Sequence, residues 1–143
     1  MSRPAGSARG CPGYDPPVHY LLDGYNLAHW LAGDRDLGPE ALRELLLAAL
    51  AERRPRDARE LTIFWDARGA WDRAPSNAYG AGVEERFVPV ADDAIVDLVA
   101  ESPRPRDLKV VSRDREVTGR ARQLGARTAG PAELLGGAPR RGH

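Results

Sequence analysis

Four stretches of the sequence set aspartates where they could act together. "HYLLD" ends at Asp23, "TIFWD" ends at Asp66, and "KVVSRD" reaches Asp114 just after its apolar run. The fourth, "ADDAIVDLV", opens with Asp92 and Asp93. In an open parallel sheet the carboxyl ends of the strands line one rim, and ligands bind there. Aspartates remote in sequence therefore converge on one cleft. Carboxylates within about 4–6 Å repel and raise one another's pKa, so such a cluster needs a positive counterpart. A hard divalent cation, Mg²⁺ or Mn²⁺, accepts oxygen ligands of this sort. A cation held there suits in-line hydrolysis of a phosphodiester. Arginine is the alternative counter-charge, and the chain is rich in it.

Each aspartate taken singly has a plainer reading. A carboxylate after a strand is commonly a turn former or a helix cap, and for Asp23 that reading stands level with the chemical one. Asp92 alone reads better as an N-cap, and Asp114 could cap the helix that follows it. It is the joint pattern that points to a site. Other chemistries lack their residues: there is no "GxxxxGK" phosphate loop and no HExxH or Cys/His zinc spacing. His19, His29 and His143 are scattered, and Cys11 is the only cysteine, which excludes a disulfide framework. His29 lies near the rim, where a surface or packing role suits it best.

The elements that must position these residues alternate. The 143 residues suit one domain, and 42% of them are hydrophobic. Apolar runs "VHYLL" (18–22), "LTIFW" (61–65) and "LKVVS" (108–112) read as buried strands, with "VEERFVPV" (83–90) a weaker one and "ART" (126–128) a short edge strand. Helical spacing runs through "PEALRELLLAALAERR" (39–54), with Leu42, Leu45, Leu46, Ala49 and Leu50 inward. It recurs in 92–102, with Ile95, Val96, Leu98 and Val99 inward, and in 114–125, closed by Gly125. "PAELLG" adds a last turn or two. Strands alternating with helices imply crossovers and a mostly parallel sheet covered on both faces, a three-layer α/β/α sandwich. Residues 1–17, rich in Pro, Gly, Ser and Arg, are expected to be a disordered tail, residues 18–135 the folded domain, and residues 136–143 a flexible tail. Charged residues make up 29% and balance to a formal net charge of zero, so no overall basic field attracts a partner. Arginine outnumbers the single lysine, Lys109, chiefly as a composition bias. No run approaches the roughly 20 apolar residues of a membrane span and no signal-peptide core is present, so a soluble, cytoplasmic protein is expected.

The stretches "LLDGYNLAHW", "TIFWDARG", "VPVADDAIVDLVAE" and "KVVSRDREVTGRARQLGA", in that order and at these intervals, resemble the NYN-domain proteins of the YacP-like branch, within the PIN-like nuclease superfamily. The resemblance spans about residues 18–135. It implies a PIN-like sandwich and a metal-dependent ribonuclease using Mg²⁺ or Mn²⁺. On that pattern Asp23 is the first metal ligand, and Asn26 of "DGYN" orients a ligand or a water. Asp66 stands beside Asp23 on the neighbouring strand. Asp92 and Asp93 supply a helix-borne carboxylate; Asp93 is set among the metal ligands with Asp23, Asp66 and Asp114, while which of the pair faces the metal stays open. Asp114 completes the rim, with Ser112 hydrogen-bonding nearby. In some relatives the substrate is messenger RNA on the ribosome, and RNA is the expected partner here. Where relatives have a longer polar turn, "FVPVADD" runs straight in. The last helix ends early, at about Leu135, which favours a homodimer.

A neutral chain that binds RNA must localise its positive charge. Arg68, Arg73, Arg113 and Arg115 lie near the rim; of the two that flank Asp114, one is expected on the carboxylate and the other on substrate. Arg120 and Arg122 lie further along that helix and read as solvated. Trp71, Asn77 and Tyr79 fall in the loop after Asp66, where an aromatic would either stack an unpaired base or pin the loop. Trp65 and Tyr25 read as packing residues. A catalytically weak RNA-binding or ribosome-associated module on the same fold is the second reading, and a PIN-type toxin the third.

Overall fold

β1 (Val18–Asp23) is apolar on both faces because it lies at the centre of the sheet. The computed structural model describes residues 18–66 and 82–136. Around β1 run β2 (Ala58–Asp66), β3 (Val83–Val88), β4 (Leu108–Val111) and β5 (Arg127–Ala129), in the order β3-β2-β1-β4-β5. Every neighbouring pair is parallel. Helices α1 (Gly24–Ala32), α2 (Pro39–Glu52), α3 (Ala91–Glu101), α4 (Arg115–Gln123) and α5 (Pro131–Leu135) connect and cover the strands. Both faces of the sheet are filled, as continuous apolar strands require. Tyr20, Leu22, Ile63 and Trp65 meet Leu27, Leu46, Leu50 and Leu134 from α1, α2 and α5. Leu21, Phe64 and Val110 meet Ile95, Val99, Val117 and Ala121 from α3 and α4.

The strands and four of the five helices fall where the apolar periods place them. Helix α1 is the addition: "GYNLAHWLA" carries a glycine, an asparagine and aromatics, weak helix formers. It forms because Leu27, Ala28 and Ala32 at helical spacing find the core. On α2, Leu47 is fully buried, while Leu45 and Ala49 only flank the core. Gly125, at φ 105°, closes α4 in the left-handed region.

One buried charge lies under the first layer. Glu85 of β3 is 1% exposed and faces α2. Arg43 grips it with Nε at 2.6 Å and Nη2 at 2.7 Å, and the Trp65 indole N–H donates to it at 3.0 Å. A carboxylate this deep is tolerable only with its lone pairs satisfied. Arg43→Ala would remove this two-pronged contact, and we expect a loss of about 1–3 kcal/mol in urea-denaturation stability. An effect below about 0.5 kcal/mol would show that this contact does not stabilise the fold.

Candidate active site

The sheet builds outward from β1 in two directions, to β2 and β3 on one side and to β4 and β5 on the other. The point where direction reverses, between the carboxyl ends of β1 and β4, is where open α/β sheets bind ligands. Asp23 is the last residue of β1 at that point. Leu22 is in register with Val111, so Ser112 emerges beside Asp23.

Asp23 is 7% exposed. Although it occupies the N-cap position of α1, its side chain caps nothing. Instead its Oδ2 accepts from the Ser112 hydroxyl at 3.0 Å. The same Ser112 oxygen accepts from the Asp114 N–H at 3.0 Å, and Asp114 Oδ1 accepts from the Glu116 N–H at 2.9 Å, capping α4. Asn26 Oδ1 accepts from the Arg113 N–H at 2.8 Å. That backbone donor requires an oxygen, which settles the amide's orientation. The segments "DGYN" and "SRD" are thus stitched together across 87 to 89 residues of sequence.

Gly24 is needed for close approach. A Cβ there would lie 2.6 Å from Trp65 Cε3 and 2.8 Å from the Phe64 carbonyl oxygen. The Trp65 ring also meets Tyr25 edge-on, with centroids 4.9 Å apart. The buried Arg43–Glu85 pair holds Trp65, Trp65 backs Gly24, and Gly24 sets the direction in which the chain leaves Asp23.

The electrostatics are one-sided. Burial, then the negative charge of Asp92, and then those of Asp114 and Asp66 push the Asp23 carboxyl up to about 6, against the opposing pull of the Ser112 hydrogen bond. Asp92 is likewise raised, first by burial and then by Asp114, Asp66, Asp93 and Glu116. Among the described residues, no arginine or lysine forms an ion pair with Asp23, Asp92 or Asp114. Arginine neutralisation, the alternative left open by the sequence, is therefore not found for these three.

Asp23, Asp66, Asp92, Asp114, Ser112 and Asn26 come together at this rim. Asp92 sits in the first turn of α3 without capping it, since the N-cap is Val90. Asp93 turns the other way, to Arg120 Nη1 at 3.6 Å, with its side chain 63% exposed. Of the pair the sequence left open, Asp92 is the one whose charge acts on Asp23. Asn26 gives its oxygen to the Arg113 N–H, a contact that stitches two segments of the rim together. Neither Arg113 nor Arg115 pairs with Asp114. Arg68, Arg73, Trp71, Asn77 and Tyr79 lie outside the described residues. Glu116, in the second residue of α4, adds charge felt by Asp92 and was not singled out by the sequence.

Oxygen ligands of this kind suit Mg²⁺ or Mn²⁺. Among the described residues no three His, Cys, Asp or Glu side chains stand close enough, as placed, to enclose an ion. The carboxylates feel one another without closing a shell, as mutually repelling groups do without a counter-charge.

A five-stranded parallel sheet with acidic groups at its switch point defines a PIN-like α/β domain. A family model described as the YacP-like NYN domain matches residues 20–138. The chain belongs to this family of PIN-like nuclease domains. Among solved structures, that of a Rae1 (YacP) point mutant from Bacillus subtilis is similar in fold, with a TM-score of 0.62 and 22% identity over 82% of this chain and 72% of that one. Comparison with curated proteins returned no match.

The raised Asp23 carboxyl has a consequence for stability. The folded chain binds this proton more tightly than the unfolded chain, so the group's contribution is most favourable below about pH 4. It falls as the pH climbs toward about 6 and is level above that. The displacement from 3.8 to about 6 corresponds to about 3 kcal/mol of destabilisation at pH 7. We expect Asp23→Asn, in EDTA at pH 7, to raise the melting temperature by on the order of 10 °C, with the gain fading toward pH 4. A variant less stable than the parent at pH 7 would contradict a repelled Asp23.

Proposed function

We propose that this protein is a metal-dependent endoribonuclease that hydrolyses phosphodiester bonds in single-stranded RNA. The observation that carries the reading is a buried carboxylate, Asp23, surrounded by three others at the switch point and left without a cationic partner among the described residues. A fold alone does not specify chemistry, but family membership and this site point the same way. Asp23, Asp66, Asp92 and Asp114 are the residues that would hold Mg²⁺ or Mn²⁺. Bound there, the ion would supply charge neutralisation and lower the pKa of a water for attack on phosphorus.

The chain's own groups do the positioning. Ser112 fixes one oxygen of Asp23 and, through the Asp114 N–H, the start of α4. Asn26 holds the backbone of Arg113 beside the same oxygen. Arg113 and Arg115, exposed and unpaired with any carboxylate among the described residues, are free to meet the substrate's phosphates. Hydrolysis forms one bond from water oxygen to phosphorus and breaks one to a ribose oxygen, which takes up a proton as it leaves. Asp92, whose carboxyl is raised above its ordinary value first by burial and then by its acidic neighbours, is suited to accept the proton that water gives up.

The second reading, an RNA-binding module that cleaves little, has one observation in its favour. Among the described residues no three carboxylates are close enough to enclose an ion. The two readings part in one experiment. A mixed RNA pool is incubated with the protein and Mg²⁺ or Mn²⁺, with and without EDTA, beside Asp23→Asn. We expect cleavage that EDTA stops and that the variant loses by a factor of at least about 100. Melting of the parent, but not of the variant, should rise in millimolar metal. RNA retained intact, with affinity equal in both proteins, would establish the binding module. Cleavage by Asp23→Asn at the parental rate would remove the site assignment.

A further inference from the structure

A groove of about 900 Å³ opens from the rim over the carboxyl ends of β4 and β5. Its walls include Trp30 of α1, Ser112 and Arg113 of the rim, Arg115 and Arg122 of α4, and Thr128 of β5. Ser112 joins it directly to the site, since the same hydroxyl donates to Asp23. The charged side chains that line this space are three arginines and a single carboxylate, Glu133. The sign of charge therefore reverses along one rim, from carboxylates around β1 to guanidiniums beside β4 and β5.

Two further features suit a strand of nucleotides. Arg122 Nη1 donates to Thr128 Oγ1 at 2.7 Å, which sets its guanidinium on the wall and leaves its other N–H groups unused among the described residues. Trp30 rests on the core from one side and lines the groove from the other. It is half-buried, and its indole N–H has no hydrogen-bond partner among the described residues. An aromatic plate beside guanidiniums is how proteins hold single strands, with bases stacked and phosphates paired.

We infer that this groove carries single-stranded RNA away from the cleavage point, with a base stacked on Trp30 and flanking phosphates on Arg115 and Arg122. The inference rests on reading the rim as the cleaving centre. It turns Arg122 from a solvated residue into a substrate contact and makes Trp30 the determinant of single-strand preference.

The test uses the full chain carrying Asp23→Asn, so that RNA binds without being cut. The probe is a fluorescein-labelled oligouridylate of about 12 nucleotides, followed by anisotropy in Mg²⁺. Trp30→Ala should weaken binding roughly 10-fold, and Trp30→Phe should restore most of it. Arg122→Gln, an exposed change that keeps the fold if Trp30→Ala does not, should lower the slope of log affinity against log salt by about 0.7. Duplex RNA of the same length should bind more weakly, and polyglutamate should not compete at equal charge. Unchanged affinity with Trp30→Ala together with an unchanged salt slope in Arg122→Gln overturns the inference, as does full competition by polyglutamate. Cleavage is read separately in the Asp23 protein. EDTA-sensitive cleavage with unaltered binding removes the groove and keeps the nuclease, whereas weakened binding without cleavage does the reverse.

Discussion

The burial of a carboxylate at the end of the central strand, among groups of its own sign, governs the rest of this structure. Removing Asp23 from water already disfavours its charge, and Asp92, Asp114 and Asp66 add to that cost. A domain of this size has a net stability of only about 5–15 kcal/mol, so a group strained in this way is retained for what it does. The arrangement lasts because the opposing contacts are short and specific. One hydroxyl, that of Ser112, donates to Asp23 and accepts from the Asp114 backbone, so a single oxygen ties both strand ends.

The scaffold behind the site is organised to keep that geometry fixed. Arg43 and Glu85, neither of them a rim residue, hold the Trp65 indole. The flat side of that ring occupies the space in which any side chain at position 24 would lie. The backbone can then turn from β1 into α1 at once, leaving the carboxylate at the switch point. Sites held by regular elements are more precise than sites held by loops, and here each rim carboxylate ends a strand or begins a helix.

Much of this was legible in the sequence because it rests on local pattern. The apolar runs before Asp23, Asp66 and Ser112 read as buried strands, and a parallel sheet brings their ends together. What escaped the pattern is what tertiary contact decides. Helix α1 has weak propensity and forms on the core. The choice between Asp92 and Asp93 depends on which way the first turn of α3 faces, and Arg120, one helix away, claims Asp93. Arg113 and Arg115 read as ambiguous beside Asp114; the structure gives them to the groove, since Ser112 and Glu116 already supply that segment's hydrogen bonds. The groove itself joins α1 to β5, about a hundred residues apart, and no local spacing announces it.

The central claim concerns the charge state of a single side chain, and the most direct measurement is the pH titration of the Asp23 carboxyl carbon by NMR in metal-free protein. The account predicts a midpoint near 6, moving down toward the ordinary aspartate range when Asp92 is replaced by asparagine. A midpoint at or below about 4, unmoved by that replacement, would mean that the acidic groups do not share a pocket.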